Sequence, residues 1–332
     1  MAPLVTRILL ATDFSECSEL AFQHALVWAN ACEAELQIFH VVELHPHLDI
    51  ETDFTQVYLR EQEKAAKKQL DNLFQRAKLL TKQVQAHSLI GIPADRINQH
   101  AEDIAADIVF LGTHGLTGLN RILLGSTAER VVNGAPCPVI TIRETQPTED
   151  QPQPQGKETL GSEQKSPSIP SHLLVPMDFS DCSLEAVEYG LQVAKEFEVS
   201  ATLLHVMEPM TYSLDFNLTH RETQKHQREE AQKRMTEVAE VFQARGVTTT
   251  TLFKDAPVAD AILQGIKEVE PNLIVMGTHG RRGFSRLLLG SVATALLRQA
   301  PIPLLTVKSP KYAPTHPRRG KDAKSKTFST TG

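Results

Sequence analysis

The chain has 332 residues, four of them cysteine, with a formal net charge of -6; that is long enough for two domains, each burying a core without disulfides or metals. Hydrophobic residues make up 41% and charged residues 22%, which argues against a disordered or membrane-embedded chain, and the acidic balance argues against general nucleic-acid binding, which depends on clustered Lys and Arg. No apolar run approaches a membrane span, and the opening MAPLVTRILLATDFS lacks the parts of a secretory signal, so a cytoplasmic protein with no membrane contact is expected.

In chain order, the first apolar run, RILLATD, ends at Asp13 and leads into Ser15 and Glu16. A serine followed by an acid is an N-cap with a dipole-complementing first turn, so a helix is expected directly after this strand. LQIFHVVE follows as a second strand, a charged helical stretch at about 55–81 as a long helix, and a weaker third strand at 84–90. DIVFLGT and PVITIR supply the fourth and fifth. These runs are continuously apolar rather than alternating, as in strands buried on both faces of a parallel sheet.

Residues 144–170 are rich in Pro, Gln, Glu and Ser and read as a flexible linker. The order of elements then starts again: HLLVPMD, ATLLHVME, a long helix at about 219–245, a strand at 247–253, NLIVMGT and IPLLTVK. The offset is 165 throughout, and GTHGLTGLNRILLGS matches GTHGRRGFSRLLLGS at ten of fifteen positions. The expected fold is therefore α/β: two tandem copies of a five-stranded parallel open sheet with helices on both faces, over 1–143 and 171–309. The remainder, 310–332, is basic and reads as a disordered, solvated tail or a docking arm for an acidic partner.

In an open parallel sheet, ligands bind beyond the carboxyl ends of the strands. Asp13 and Asp178 follow the first strand of each copy. A G-x2-G-x9-G-S loop follows the fourth: Gly112, Gly115, Gly125 and Ser126, then Gly277, Gly280, Gly290 and Ser291. Glycine serves where backbone takes positive φ or closely approaches a ligand, and a helix starting after the last glycine presents free N–H groups and its dipole to phosphate. Neither copy contains the GxxxxGK[ST] loop of ordinary P-loop proteins. Alternatives stand beside each reading. The glycines could serve tight connections alone, the aspartates could serve the helix dipole, Arg121 and Arg286 could reach a γ-phosphate or lie solvated, and His114 and His279 could meet phosphate or pack the loop. His40 and His205 read as satisfied core histidines. The cluster His40, His45 and His47 has no metal-ligand frame. Cys17 and Cys182 could form a redox pair or fill helix-packing positions.

Strands ending Asp-Phe-Ser and His-Val, together with the doubled glycine loop, resemble the universal stress protein family in its ATP-binding branch, over roughly 4–143 and 170–308. The resemblance implies strand order 3-2-1-4-5, with nucleotide between the first and fourth strands. It implies that Asp13, Val41, Gly112, Gly115, Gly125 and Ser126 form one site and Asp178, Val206, Gly277, Gly280, Gly290 and Ser291 a second, the aspartate and valine holding adenosine and the loop holding phosphates. Ala11 stands where Pro176 has the family's proline, and Thr127 answers to Val292, which leads us to expect unequal sites. The ligand implied is ATP or ADP with Mg²⁺. The function implied is a stress-response regulator in which the two halves form an internal pseudo-dimer, with scope for a homodimer and a protein partner. A slow ATPase or self-phosphorylating enzyme and a partner-binding scaffold without working sites are the alternatives. No catalytic base is evident.

Overall fold

The computed structural model describes residues 3–44, 53–115, 124–144, 167–208, 219–280 and 289–309. In the first half the order is β1 (Arg7–Thr12), α1 (Glu16–Ala31), β2 (Glu35–Glu43), α2 (Asp53–Lys78), β3 (Val84–Gly91), α3 (Pro93–Asp103), β4 (Ile108–Gly112), α4 (Ser126–Gly134) and β5 (Val139–Ile142). The second half repeats it as β6 (His172–Pro176), α5 (Asp181–Glu196), β7 (Ser200–Met207), α6 (Thr219–Ala244), β8 (Thr249–Asp255), α7 (Val258–Val269), β9 (Leu273–Gly277), α8 (Ser291–Gln299) and β10 (Leu304–Val307). Most of the linker and all of the tail lie outside the described residues.

The strands form one ten-stranded sheet in the order β3-β2-β1-β4-β5-β10-β9-β6-β7-β8. Each half is parallel with order 3-2-1-4-5, and β5 meets β10 antiparallel, pairing Ile140 with its repeat equivalent Leu305. That pairing of equivalents puts a pseudo-twofold axis at the junction. It also opens the two sets of strand carboxyl ends at opposite ends of the sheet.

Both faces are covered. Alternate residues of β1 point to opposite sides: Ile8 and Leu10 join Phe22 of α1 and Leu73 of α2 in one core, while Leu9 and Ala11 join Ile97 of α3 and Val131 of α4 in the other. Each core continues through both halves, to Phe242 on the first face and Leu296 on the second. The junction is therefore packed like a domain interior. Trp28 of α1 meets Phe197, which caps α5, at 4.7 Å between ring centroids. Lys308, just after β10, donates to the carbonyls of Asn133 and Ala135 at the end of α4.

Ser15 and Ser180 cap α1 and α5, each accepting from the N–H three residues on. The strand expected at 247–253 starts instead at Thr249. Gly246, at φ +82°, closes α6 with its N–H on Gln243 and the Val247 N–H on Phe242, so Val247 belongs to the helix stop.

Candidate nucleotide-binding site

At the carboxyl end of β1 the chain turns into α1 through Asp13, whose Oδ1 accepts from the Ser15 N–H at 3.1 Å and the Ser15 hydroxyl at 2.6 Å. Ser15 thus caps the helix while steering the carboxylate. The second half repeats this, with Asp178 Oδ1 taking the Ser180 N–H at 3.0 Å and its hydroxyl at 2.6 Å. The intervening Phe14 and Phe179 sit at φ 65° and 63°, the left-handed region that L-residues enter at a cost of about 1–2 kcal/mol. Sequence reasoning missed this, although Asp-x-Ser is itself a signal for such a local turn.

The glycine loops run up against this turn. A β-carbon on Gly115 would lie 2.4 Å from Asp13 Oδ2, and one on Gly280 would lie 2.8 Å from Asp178 Oδ2. Gly112 and Gly277 let the first turn of α1 and α5 close onto β4 and β9, where a β-carbon would come within 3.0 Å of Cys17 or 2.8 Å of Cys182. Of the two demands on glycine, positive φ and close approach, the described loop glycines answer to the second. Gly91 and Gly246 are the described glycines at positive φ, and the loop glycines are required by close approach instead. Gly125 and Gly290 donate to the carbonyls of Thr113 and Thr278 at 2.9 and 3.0 Å, which folds the loop back onto the strand end.

Gly125 and Gly290 are also the N-caps of α4 and α8, and neither helix start receives a side-chain cap. The first amide groups, beginning with Ser126 and Ser291, are therefore available to an anion. Thr127 follows Ser126 where Val292 follows Ser291. Val41 is buried in β2 and Val206 half-buried in β7. The structure thus gathers Asp13, Gly112, Gly115, Gly125 and Ser126 around the ends of β1 and β4, with their counterparts around β6 and β9. Arg121, Arg286, His45 and His47 lie outside the described residues.

The four histidines nearest the site turns and loops fall into two groups. His40 Nδ1 donates to the Thr12 carbonyl at 2.8 Å, and His205 Nδ1 to that of Met177 at 2.7 Å, tying β2 and β7 to the site turns. Burial lowers the His40 pKa, against the opposing pull of the Thr12 carbonyl and the Asp13 charge. His114 and His279 each engage the preceding threonine hydroxyl through Nδ1, at 2.8 and 2.9 Å. Cys17 and Cys182 are buried free thiols whose Sγ atoms approach the Ile142 and Val307 carbonyls. Among the described residues no group of three or more His, Cys, Asp or Glu is arranged to hold a metal.

A model of the universal stress protein family matches residues 5–143 and 171–308. A universal stress protein of Methanocaldococcus jannaschii is 34% identical over 144 residues, 42% of this chain and 83% of that protein. One from Thermus aquaticus is 35% identical over 138 residues, 41% of this chain and 97% of that protein. Among solved structures, a universal stress protein from Archaeoglobus fulgidus superposes with TM-score 0.65 at 21% identity, over 91% of this chain and 98% of that one.

Proposed function

Because the chain belongs to the universal stress protein family, we propose that it is a stress-response regulatory protein whose halves each bind ATP or ADP at the paired sites. The observation that carries this reading is the doubled juxtaposition of a serine-steered carboxylate, a glycine that admits no β-carbon beside it, and a helix start without a side-chain cap. Asp13 or Asp178, with Val41 or Val206, would hold the adenosine part. The amides of the Gly125–Ser126 and Gly290–Ser291 helix starts would take the phosphates, as an N-terminal dipole favours. A Mg²⁺ ion would arrive on the phosphates, since the described residues offer it no ready-made cage.

The two halves act as an internal pseudo-dimer through β5 and β10, and nucleotide occupancy would alter partner choice rather than drive turnover. Calorimetric titration of the full chain, stripped of nucleotide, with ATP and Mg²⁺ tests this. Two equivalents bound per chain are expected; no heat of binding would leave the protein as a scaffold that kept the loops for folding.

A further inference from the structure

We infer that the second half holds its nucleotide more tightly than the first, and that Arg234 is the positioning residue responsible; this rests on the nucleotide reading above. Phe14 and Phe179 follow the site carboxylates in the left-handed region, at φ 65° and 63°. The Asp-x-Ser turn favours that backbone locally, and an aromatic residue stays in it where tertiary contacts reinforce the turn. The two halves supply those contacts very differently.

In the first half the Phe14 ring lies 4.4 Å from that of His40 and packs against the apolar cluster of Val42, Leu59 and Ala66, with no guanidinium over it among the described residues. In the second, Phe179 lies 4.7 Å from His205, and His205 lies 5.4 Å from Phe253. The Arg234 guanidinium covers Phe179 at 4.2 Å, and that of Arg228 covers Phe253 at 5.0 Å. Arg228 is fixed in turn by Asp255 at 2.7 Å. The result is a five-member run of contacts, Arg234–Phe179–His205–Phe253–Arg228, with the rings tilted at 40° and 58°, that joins α6, the β6–α5 turn, β7 and β8.

The register identifies what the first half lacks. His205 pairs with Phe253 across β7 and β8, whereas His40 pairs with Ser88 across β2 and β3. At the offset of 165, Gln69 stands for Arg234 and Glu63 for Arg228, and both are exposed on α2. Phe179, and with it the Asp178 carboxylate, is held by an imidazole and a guanidinium together, so less ordering remains to be done when ligand binds. Charge acts the same way. Asp255 neutralises Arg228, while Arg234 makes no ion pair among the described residues and leaves a positive charge at the second site, where the first has a neutral glutamine.

The test is calorimetric titration of the full, nucleotide-free chain with ATP and Mg²⁺, alongside Arg234→Gln, Arg234→Lys, Gln69→Arg and Asp178→Ala. We expect two affinities about three- to tenfold apart, with the tighter event lost in Asp178→Ala. Arg234→Gln should weaken the tighter event alone, Arg234→Lys should retain most of it, and Gln69→Arg should tighten the weaker one. Thermal melts matching the parent's would show that each variant is folded. Equal affinities in the parent, or Arg234→Gln weakening both events or neither, would overturn the inference while leaving nucleotide binding intact. Absence of any binding would overturn both.

Discussion

A β-carbon at Gly115 or Gly280 would compete with a carboxylate oxygen for the same space, at 2.4 and 2.8 Å respectively. Asp13 and Asp178 can swing aside only by giving up the serine hydroxyls that steer them, at 2.6 Å in both halves. Gly115→Ala and Gly280→Ala are therefore expected to leave stability within about 1 kcal/mol of the parent while weakening ATP at the altered half by about tenfold or more, as calorimetry and thermal melts would register. Unchanged affinity would assign the loops to folding alone. The position of these glycines was legible in the sequence from their doubled spacing, but the reason for them was not. Positive φ is the commonest demand for glycine, whereas here the demand is a close approach by Asp13 or Asp178, about a hundred residues away in sequence. Phe14 and Phe179 were illegible for a related reason, because their left-handed backbone is imposed by the Asp-x-Ser turn and the rings around it.

At the scale of the element, sequence and structure agree where local signals and periodicity are strong. The continuous apolar runs became strands, and Ser15 and Ser180 became the caps that a serine before an acid announces. Helix ends were less legible. Gly246 stops α6 as glycine should, yet α1 and α5 end with the same pair of carbonyl-capping bonds through Glu33 and Glu198, at φ 51° and 54°. Each glutamate carries the β-carbon cost that glycine avoids. Glu33→Gly and Glu198→Gly should each raise stability by about 0.5–1 kcal/mol, the left-handed strain relieved less the entropy the unfolded chain gains, read as a higher urea midpoint at unchanged slope. A lower midpoint would mean that the extra freedom of the unfolded chain outweighs the strain relieved.

At the scale of the molecule, the tandem repeat predicted two sheets and the family resemblance an internal pseudo-dimer; the structure pairs β5 with β10 and joins the two sheets into one. The shared cores were not legible, because Trp28 in α1 and Phe197 at the end of α5 belong to segments whose apolar faces would be buried within one half in any case. His24 sits at this junction, lining a small cavity with Trp28, Ile140, Asn272 and Pro303. Burial lowers its pKa from 6.5 to about 4. Well above pH 6.5 the group is neutral folded or unfolded and contributes no pH dependence. As pH falls from 6.5 towards 4 the unfolded chain takes up the proton and the folded one does not, so stability drops by up to about 3 kcal/mol. His40, His100 and His172, also lowered chiefly by burial, add in the same direction. Trp28, the chain's single tryptophan, reports unfolding by fluorescence. Its denaturation midpoint should fall across that window, and His24→Leu should flatten the fall; an unchanged profile in the variant would contradict this account of the junction.

On this reading one chain carries two nucleotide sites. The most direct test is to denature the protein as purified, identify the released small molecules by chromatography and mass spectrometry, and measure their ratio to chain. ATP or ADP approaching two equivalents per chain is expected. No released nucleotide, together with no calorimetric binding of ATP and Mg²⁺, would contradict the reading.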